Sequence, residues 1–338
     1  MVNKNKIGWI DLVKAICMIS VYLLHVESYT GEFWTKSYGY LLQPFYVNAF
    51  FFVSGYLFFK KWMGEDRVDG FSWGEYVGGI KNLLFRIVVP TIVFASVFYI
   101  PKVIFHSGEI DFGRYFYDVW GGVSFWFTSA LMVAQLVLLT LLFTKQKSVW
   151  IYLFISVGLF VFAYYLSRVA TTPFPWYYKS GLAATFFMVL GGVYQRYESW
   201  IDDRIGRVGW WIVALVYFNL MIWDFDQHFF AFALMSVKFN VMGMFVTLLG
   251  VAFVVGLCKV IKGVSWLEYI GQNSILFYFC SGIVPASLST LFGKIVELNY
   301  CWVVVLTIVS LCVSYVIALI VNRYFSFLLD FRKLKICH

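Results

Sequence analysis

Residues 7–26 read IGWIDLVKAICMISVYLLHV, and this stretch decides the fold. Twenty residues at about 1.5 Å each reach across a hydrocarbon layer of about 30 Å, so a segment this long and apolar reads as a membrane span. It nevertheless carries Asp11, Lys14 and His25. At about 100° per residue the three fall within an arc of roughly 60°, a single stripe along the helix. A charge at the centre of a span costs about 2.5–3.5 kcal/mol on insertion scales, so such residues rarely persist without a task.

Working outward, the composition matches that first segment. The chain has 338 residues, 62% hydrophobic, 22% aromatic and 13% charged, with mean hydropathy +0.79. A soluble domain carries about 25% charged residues. Apolar runs recur along the whole length, and no polar stretch is long enough for a separate soluble domain. The expected architecture is all-α: one polytopic helical bundle over residues 1–338. Ten spans are placed at about residues 7–27, 39–59, 82–105, 121–143, 149–166, 181–195, 208–224, 238–258, 267–290 and 301–322. The basic start MVNKNK is not read as a cleavable signal, because the following segment is long, charged at Asp11 and Lys14, and lacks a small-residue cleavage site.

The net charge of +8 does not point to nucleic acid. With the amino terminus inside, 18 of the 26 lysines and arginines lie in cytoplasmic segments and seven in outer ones. The positive-inside rule then places both termini in the cytoplasm. His25 lies near the outer mouth and Asp11 near the inner one, about 21 Å apart along the helix. Asp11 is therefore no hydrogen-bond partner for His25, but it can pair with Lys14 at i,i+3. Cys17, Cys258, Cys280, Cys301, Cys312 and Cys337 include no CxxC pair. They read as small buried hydrophobes rather than a disulfide or metal framework, and no metal site is expected.

Among groups able to do chemistry, His25 comes first. A neutral imidazole facing an aqueous cavity can take a proton from a hydroxyl as it attacks an acyl carbon; the plain alternative is a structural histidine in a helix bundle. His106, His228 and His338 sit at a span edge, in an outer loop and at the tail, where solvated histidines are ordinary. Asn48 is a polar intrusion that needs a partner in the bundle. Ser54-Gly55, late in a Phe-rich helix, permits close approach of another backbone. Lys81 and Arg86 precede a span opening at about Pro90; they read as inner-side charges, and equally as a clamp for the phosphates of an acyl-CoA. Trp126 starts the fourth span, where an interface anchor is the ordinary reading. Asn273 and Ser274, followed by Tyr278, can cap the ninth span. The loop 60–81 is rich in glycine and reads as the longest flexible piece. In the outer loop 171–178, Trp176, Tyr177 and Tyr178 beside Pro173 and Pro175 read as anchors or as a platform for stacking a sugar.

Taken in order, these elements resemble the membrane acyltransferase-3 family, most closely its fucose-4-O-acetylase-like, polysaccharide O-acetyltransferase branch. The pattern W-I-D-x-x-K…H is met by Trp9, Ile10, Asp11, Lys14 and His25. An FFF-x-SG-Y element is met by Phe50 to Tyr56, and a basic-then-Pro start by Arg86 and Pro90. Weaker elements are met by Trp126, Phe127 and Leu131, and by Ile270, Gly271, Ser274 and Tyr278. The resemblance covers about residues 7–285. It implies a multi-pass O-acyltransferase, in a bacterial cytoplasmic membrane, that takes an acetyl or other acyl group from cytoplasmic acyl-CoA as donor substrate, with no bound cofactor. The acceptor it implies is a hydroxyl of a cell-surface carbohydrate or a lipid-linked precursor. It further implies that His25 is the essential residue and that Arg86 is linked to the donor. Two positions depart from the pattern. Leu83 stands where many members carry a second arginine, with Lys81 the nearest basic substitute, and Phe279-Cys280-Ser281 follows Tyr278 where many carry a histidine. Glu27, Glu32, Asp118, Asp224 and Asp226 are the candidates to orient His25. A different class, a transporter or flippase of a lipid-linked sugar or small organic anion, would use the same polar stripe to line a path; no inverted repeat or matched pair of broken helices supports it.

Overall fold

The computed structural model describes residues 7–29, 38–64, 71–106, 111–144, 148–169, 172, 175–223, 241–261, 263–295 and 300–333. Among the described residues every regular element is helical: α1 (Gly8–Glu27), α2 (Tyr38–Leu42), α3 (Tyr46–Trp62), α4 (Trp73–Leu83), α5 (Val89–His106), α6 (Phe112–Tyr115), α7 (Trp126–Leu141), α8 (Val149–Val169), α9 (Tyr178–Trp223), α10 (Val241–Val260), α11 (Ser265–Gln272), α12 (Ser274–Gly293) and α13 (Tyr300–Tyr324). The side chain of His106, and all of Glu32, Pro173, Asp224, Asp226, His228, Cys337 and His338, lie outside the described residues.

Helix α8 shows why the medium around this chain is lipid. Its buried face is Val149, Tyr152, Ser156, Phe160 and Ala163, three or four residues apart. Its open face is apolar too, with Phe154 82% exposed beside Val157, Val161 and Phe162. A helix apolar on both faces with one face uncovered is soluble only in hydrocarbon. Among the described residues, eight helices are long and apolar enough to cross a membrane.

Several boundaries differ from those expected. Pro44 interrupts the second span, leaving the short α2, a turn closed by Gln43 N–H to Gly39 O at 2.8 Å, and then α3. Residues 73–81 are helical rather than loop. Ser72 caps α4 by accepting from Glu75 N–H while the Glu75 carboxylate accepts from Ser72 N–H, a reciprocal capping box. The ninth span is two helices, broken at Asn273. The sixth and seventh spans run together as α9, 46 residues long. At about 1.5 Å per residue that is more than twice a bilayer core. It leaves helical geometry at Tyr197 and again at Gly206, whose φ of +59° glycine adopts without strain. Against the ten spans expected, α3 has 17 residues and is not one of the eight, and the sixth and seventh spans make one continuous element.

The chain divides into two compact units. The first contains Met1–Val53, Tyr197–Ala231 and Val237–Ile320. Here α1 packs against α10, α11 and α12. The Tyr22 hydroxyl donates to the Phe277 carbonyl oxygen at 2.9 Å and hydrogen-bonds the Ser314 hydroxyl at 2.7 Å, tying α1 to α12 and α13. Tyr217 stacks on Phe253 at 4.9 Å and donates to the Leu41 carbonyl oxygen at 2.6 Å.

The second unit contains Ser54–Arg196, Phe232–Ser236 and Val321–His338. Small residues set its helix spacing. A Cβ at Gly55 would lie 1.9 Å from the Met188 carbonyl oxygen, so α3 and α9 touch backbone to backbone, as the Ser54-Gly55 pair suggested. Gly192 faces the Phe59 ring, and Gly181 faces Val133 and the Ala130 carbonyl. Cys17, Cys258 and Cys280 are buried free thiols, and Cys312 is an exposed one.

Candidate active site

The inner end of α1 is built by two sequence elements about 260 residues apart. Gly271, in the last turn of α11, lies directly on the backbone of α1: a Cβ there would be 1.9 Å from the Asp11 carbonyl oxygen. That approach brings the next residue into hydrogen-bond range. Gln272 Nε2 donates to Asp11 Oδ2 at 3.2 Å, while Lys14 Nζ stands 3.8 Å from Asp11 Oδ1. The i,i+3 ion pair is therefore present, and Gln272 joins it. Asn273 does not cap α12 with its side chain. It donates backward to the Tyr269 carbonyl oxygen at 2.8 Å, closing the end of α11, and Ser274 is simply the first residue of α12. Ser274 and Tyr278 share one face of α12, four residues apart, both half-buried.

Beside this node lies an ion cluster that sequence reading did not assemble. Lys259 donates to Glu198 Oε1 at 2.6 Å and also pairs with Asp202. Its ammonium sits 5.0 Å from the centre of the Trp9 ring, a cation–π contact. The only signal in the chain was the i,i+4 spacing of the two carboxylates on one helix. Removing the cation would leave two close, partly buried carboxylates facing each other. Lys259→Met is expected to destabilise the protein by roughly 1–3 kcal/mol, below the ~3–5 kcal/mol of a fully buried pair because both carboxylates keep some solvent. Thermal unfolding in detergent checks this, and adding Glu198→Gln and Asp202→Asn should restore most of the loss.

At the far end of α1 the helix is held by its neighbours. Val26 is buried with Val303 and Leu306, flanked by Leu23, Leu288 and Phe292. Glu27, 1% exposed, accepts from the Gly39 amide at 3.3 Å. The Ser28 hydroxyl donates to the His25 carbonyl oxygen at 2.7 Å, and Ser28 N–H closes the last turn onto Leu24. Against that fixed frame the His25 side chain is exposed, and no described residue hydrogen-bonds its ring. Of the candidates to orient it, Glu27 is committed to Gly39, and Asp118 belongs to the second unit, 3.8 Å from Arg114. Between Lys14 and His25 the stripe is not open. Met18, Val21 and Tyr22 fill it and are all buried, so it is not by itself a continuous cavity wall.

In the second unit Arg86 sits on a π-helical turn, Leu84–Val88, in which Val89 N–H reaches back to the Leu84 carbonyl oxygen. The cause is Pro90. It has no N–H for the Arg86 carbonyl and its ring would clash there, so the helix widens by one residue just before it. Arg86 Nε lies 3.4 Å from Asp330 Oδ2. Arg332 grips the same carboxylate, Nε to Oδ1 at 2.8 Å and Nη2 to Oδ2 at 2.6 Å. The second guanidinium near Arg86 is thus Arg332, some 246 positions later, and not the Leu83 position or Lys81, which is exposed on the last turn of α4.

Hydrogen bonds from Arg332 hold the Asp330 carboxyl below the usual carboxylate range, against a smaller opposing effect of burial. Its stabilisation is full above the unfolded pKa, near 4, and fades as pH falls through the lower folded value. Wild-type thermal stability should therefore decline in acid more steeply than that of Asp330→Asn, which should already be less stable at neutral pH.

The remaining candidates divide between the units. Asn48, 1% exposed, is in the first; its Nδ2 donates to the Pro44 carbonyl oxygen at 2.7 Å, and its buried Oδ1 has no partner among the described residues. Ser54 and Trp126 are in the second, both half-buried; Trp126 opens α7 with its ring 6.2 Å from that of Tyr177. Among the described residues no cluster of His, Cys, Asp and Glu has the makings of a metal site.

Neither the curated proteins nor the solved structures include a match to this chain. The family model Acyl_transf_3, described as an acyltransferase domain, matches residues 7–319. It takes in both ends of α1, the π turn at Arg86, and α11 and α12. An all-α, multi-pass chain with that match belongs to the acyltransferase-3 family and is a membrane acyltransferase.

Proposed function

We propose that this acyltransferase moves an acetyl group from cytoplasmic acetyl-CoA to a hydroxyl of a cell-surface carbohydrate or its lipid-linked precursor, in a bacterial cytoplasmic membrane. The observation that carries the reading is His25: an exposed imidazole, with no hydrogen-bond partner among the described residues, at the end of a helix otherwise packed on most sides. The acceptor oxygen attacks the thioester carbonyl carbon. A new C–O bond forms, the C–S bond breaks, and the hydroxyl proton passes to the His25 ring. The departing CoA thiolate then takes that proton, so His25 ends neutral and every atom is accounted for.

Donor binding is the role that suits Arg86 and Arg332. Two half-exposed guanidiniums on one carboxylate leave a net positive charge and free N–H groups, which match a diphosphate well. Asp11, Lys14 and Gln272 hold α1 against α11 and so set the axis on which His25 stands. Arg332→Ala should raise the KM for acetyl-CoA about tenfold, equivalent to ~1.4 kcal/mol, with kcat nearly unchanged. The test is purified protein with labelled acetyl-CoA and de-O-acetylated envelope polysaccharide from the producing cells. Label retained by the polysaccharide and released by mild base supports the reading, and no acetyl-CoA turnover in wild-type protein overturns it.

A further inference from the structure

Two consecutive bulky residues in the second unit hold a backbone conformation that L-residues rarely adopt. Trp176 has φ +53° and Tyr177 φ +47°. For large side chains such angles are outliers that persist only when the surroundings impose them. Here they do. Trp176 N–H donates to the Gly121 carbonyl oxygen at 2.7 Å. Gly122, itself at φ +70°, leaves room for the indole: a Cβ there would meet the Trp176 ring at 2.7 Å. The Ser129 hydroxyl fixes the Gly122 carbonyl at 2.6 Å. A membrane-interface anchor needs none of this, since an ordinary loop can set a ring among headgroups.

Beside the strained pair stands Trp126, its ring 6.2 Å from that of Tyr177 and tilted 50° to it, and all three aromatic residues are half-buried. Burial holds the Tyr177 hydroxyl protonated to higher pH than usual, and the nearby Tyr117 and Asp118 add to that effect. Asp118 is itself 9% exposed, on a second π-helical turn, Phe116–Trp120, with Arg114 at 3.8 Å. A pyranose offers both kinds of surface: C–H faces that lie against aromatic rings, and hydroxyls that bond a carboxylate and a phenol.

We propose that Trp126, Trp176 and Tyr177, with Asp118 at their edge, bind a pyranose ring of the acceptor glycan. The inference rests on the proposed carbohydrate acceptor, and on the outer location that the lysine and arginine distribution assigns to this loop.

The experiment compares wild-type protein with Trp126→Ala, Trp176→Ala and the milder Trp176→Phe, using de-O-acetylated envelope polysaccharide as probe. Three quantities are read: polysaccharide binding to immobilised protein without donor, the KM for polysaccharide in acetyl transfer, and CoA release without acceptor. Trp126→Ala and Trp176→Ala should weaken binding and raise the polysaccharide KM at least tenfold, with Trp176→Phe between them and wild type. Acceptor-free CoA release should stay within twofold, which also shows that the variants fold. Unchanged binding in folded variants overturns the assignment, and so does equal loss of all three quantities in all three variants. If wild type binds polysaccharide but never acetylates it, the transfer reading fails while the binding comparison still decides this one. If wild type does not bind it, this assignment falls.

Discussion

Replacing His25 by alanine should lower kcat for acetyl transfer by about 10²–10⁴-fold, the usual contribution of a positioned general base. The structure makes this a clean substitution. The side chain is exposed and bonded to no described residue, so its loss removes little packing and strands no partner. The melting temperature in detergent should stay within a degree or two, and acetyl-CoA should bind as before. A fall in kcat and in kcat/KM together, with donor binding unchanged, marks a group that acts in the transition state. If rate and stability fell together, His25 would be a structural residue.

The largest expected effect on folding lies at the other end of α1. Gly271→Ala would place a methyl group 1.9 Å from the Asp11 carbonyl oxygen, which belongs to a helix backbone and has no flexible end to move aside. Helices α1 and α11 would have to part, and Gln272 would leave Asp11. Overpacking typically costs ~1–3 kcal/mol, and a backbone collision belongs at or above the top of that range. Yield of folded protein and melting temperature should both drop sharply, with activity following them. Gly158→Ala is the matched control, since nothing lies within 4 Å of a Cβ there; its stability should hold or rise slightly.

How much of this was legible beforehand depended on distance along the chain. Apolar runs revealed the spans, because lipid demands a continuous hydrophobic helix of set length. The Asp11–Lys14 pair followed from i,i+3 spacing alone. Helix α9 leaves helical geometry at Tyr197 and Gly206, and nothing around either in the sequence marks it as a point where the chain turns. The break at Asn273 falls in the polar run Gly271-Gln272-Asn273-Ser274, where a helix cap was expected but a second helix before it was not. The polar partnerships inside each unit join remote segments: Asp11 with Gln272 and Lys259 with Glu198 and Asp202 in the first, Arg86 with Asp330 and Arg332 in the second. Periodicity carries no information about such pairs. The family pattern named Asp11 and Gly271 separately, and the structure brings them together, with Gly271 lying on the Asp11 backbone. Asp11, Lys14 and His25 share an arc, but Met18, Val21 and Tyr22 are buried between them, so the two ends of α1 are separate features, in line with the helical rise that parts them.

The central claim is chemical transfer from acetyl-CoA rather than passage of a sugar or anion. The most direct measurement counts both products in one tube. Purified protein in liposomes receives acetyl-CoA labelled in the acetyl group and de-O-acetylated envelope polysaccharide, and free CoA and polysaccharide-bound acetyl ester are followed together. The account predicts one ester formed per CoA released, with both lost in His25→Ala. Acetyl-CoA left intact while a lipid-linked sugar crosses the bilayer, or undiminished ester formation in His25→Ala, would contradict it.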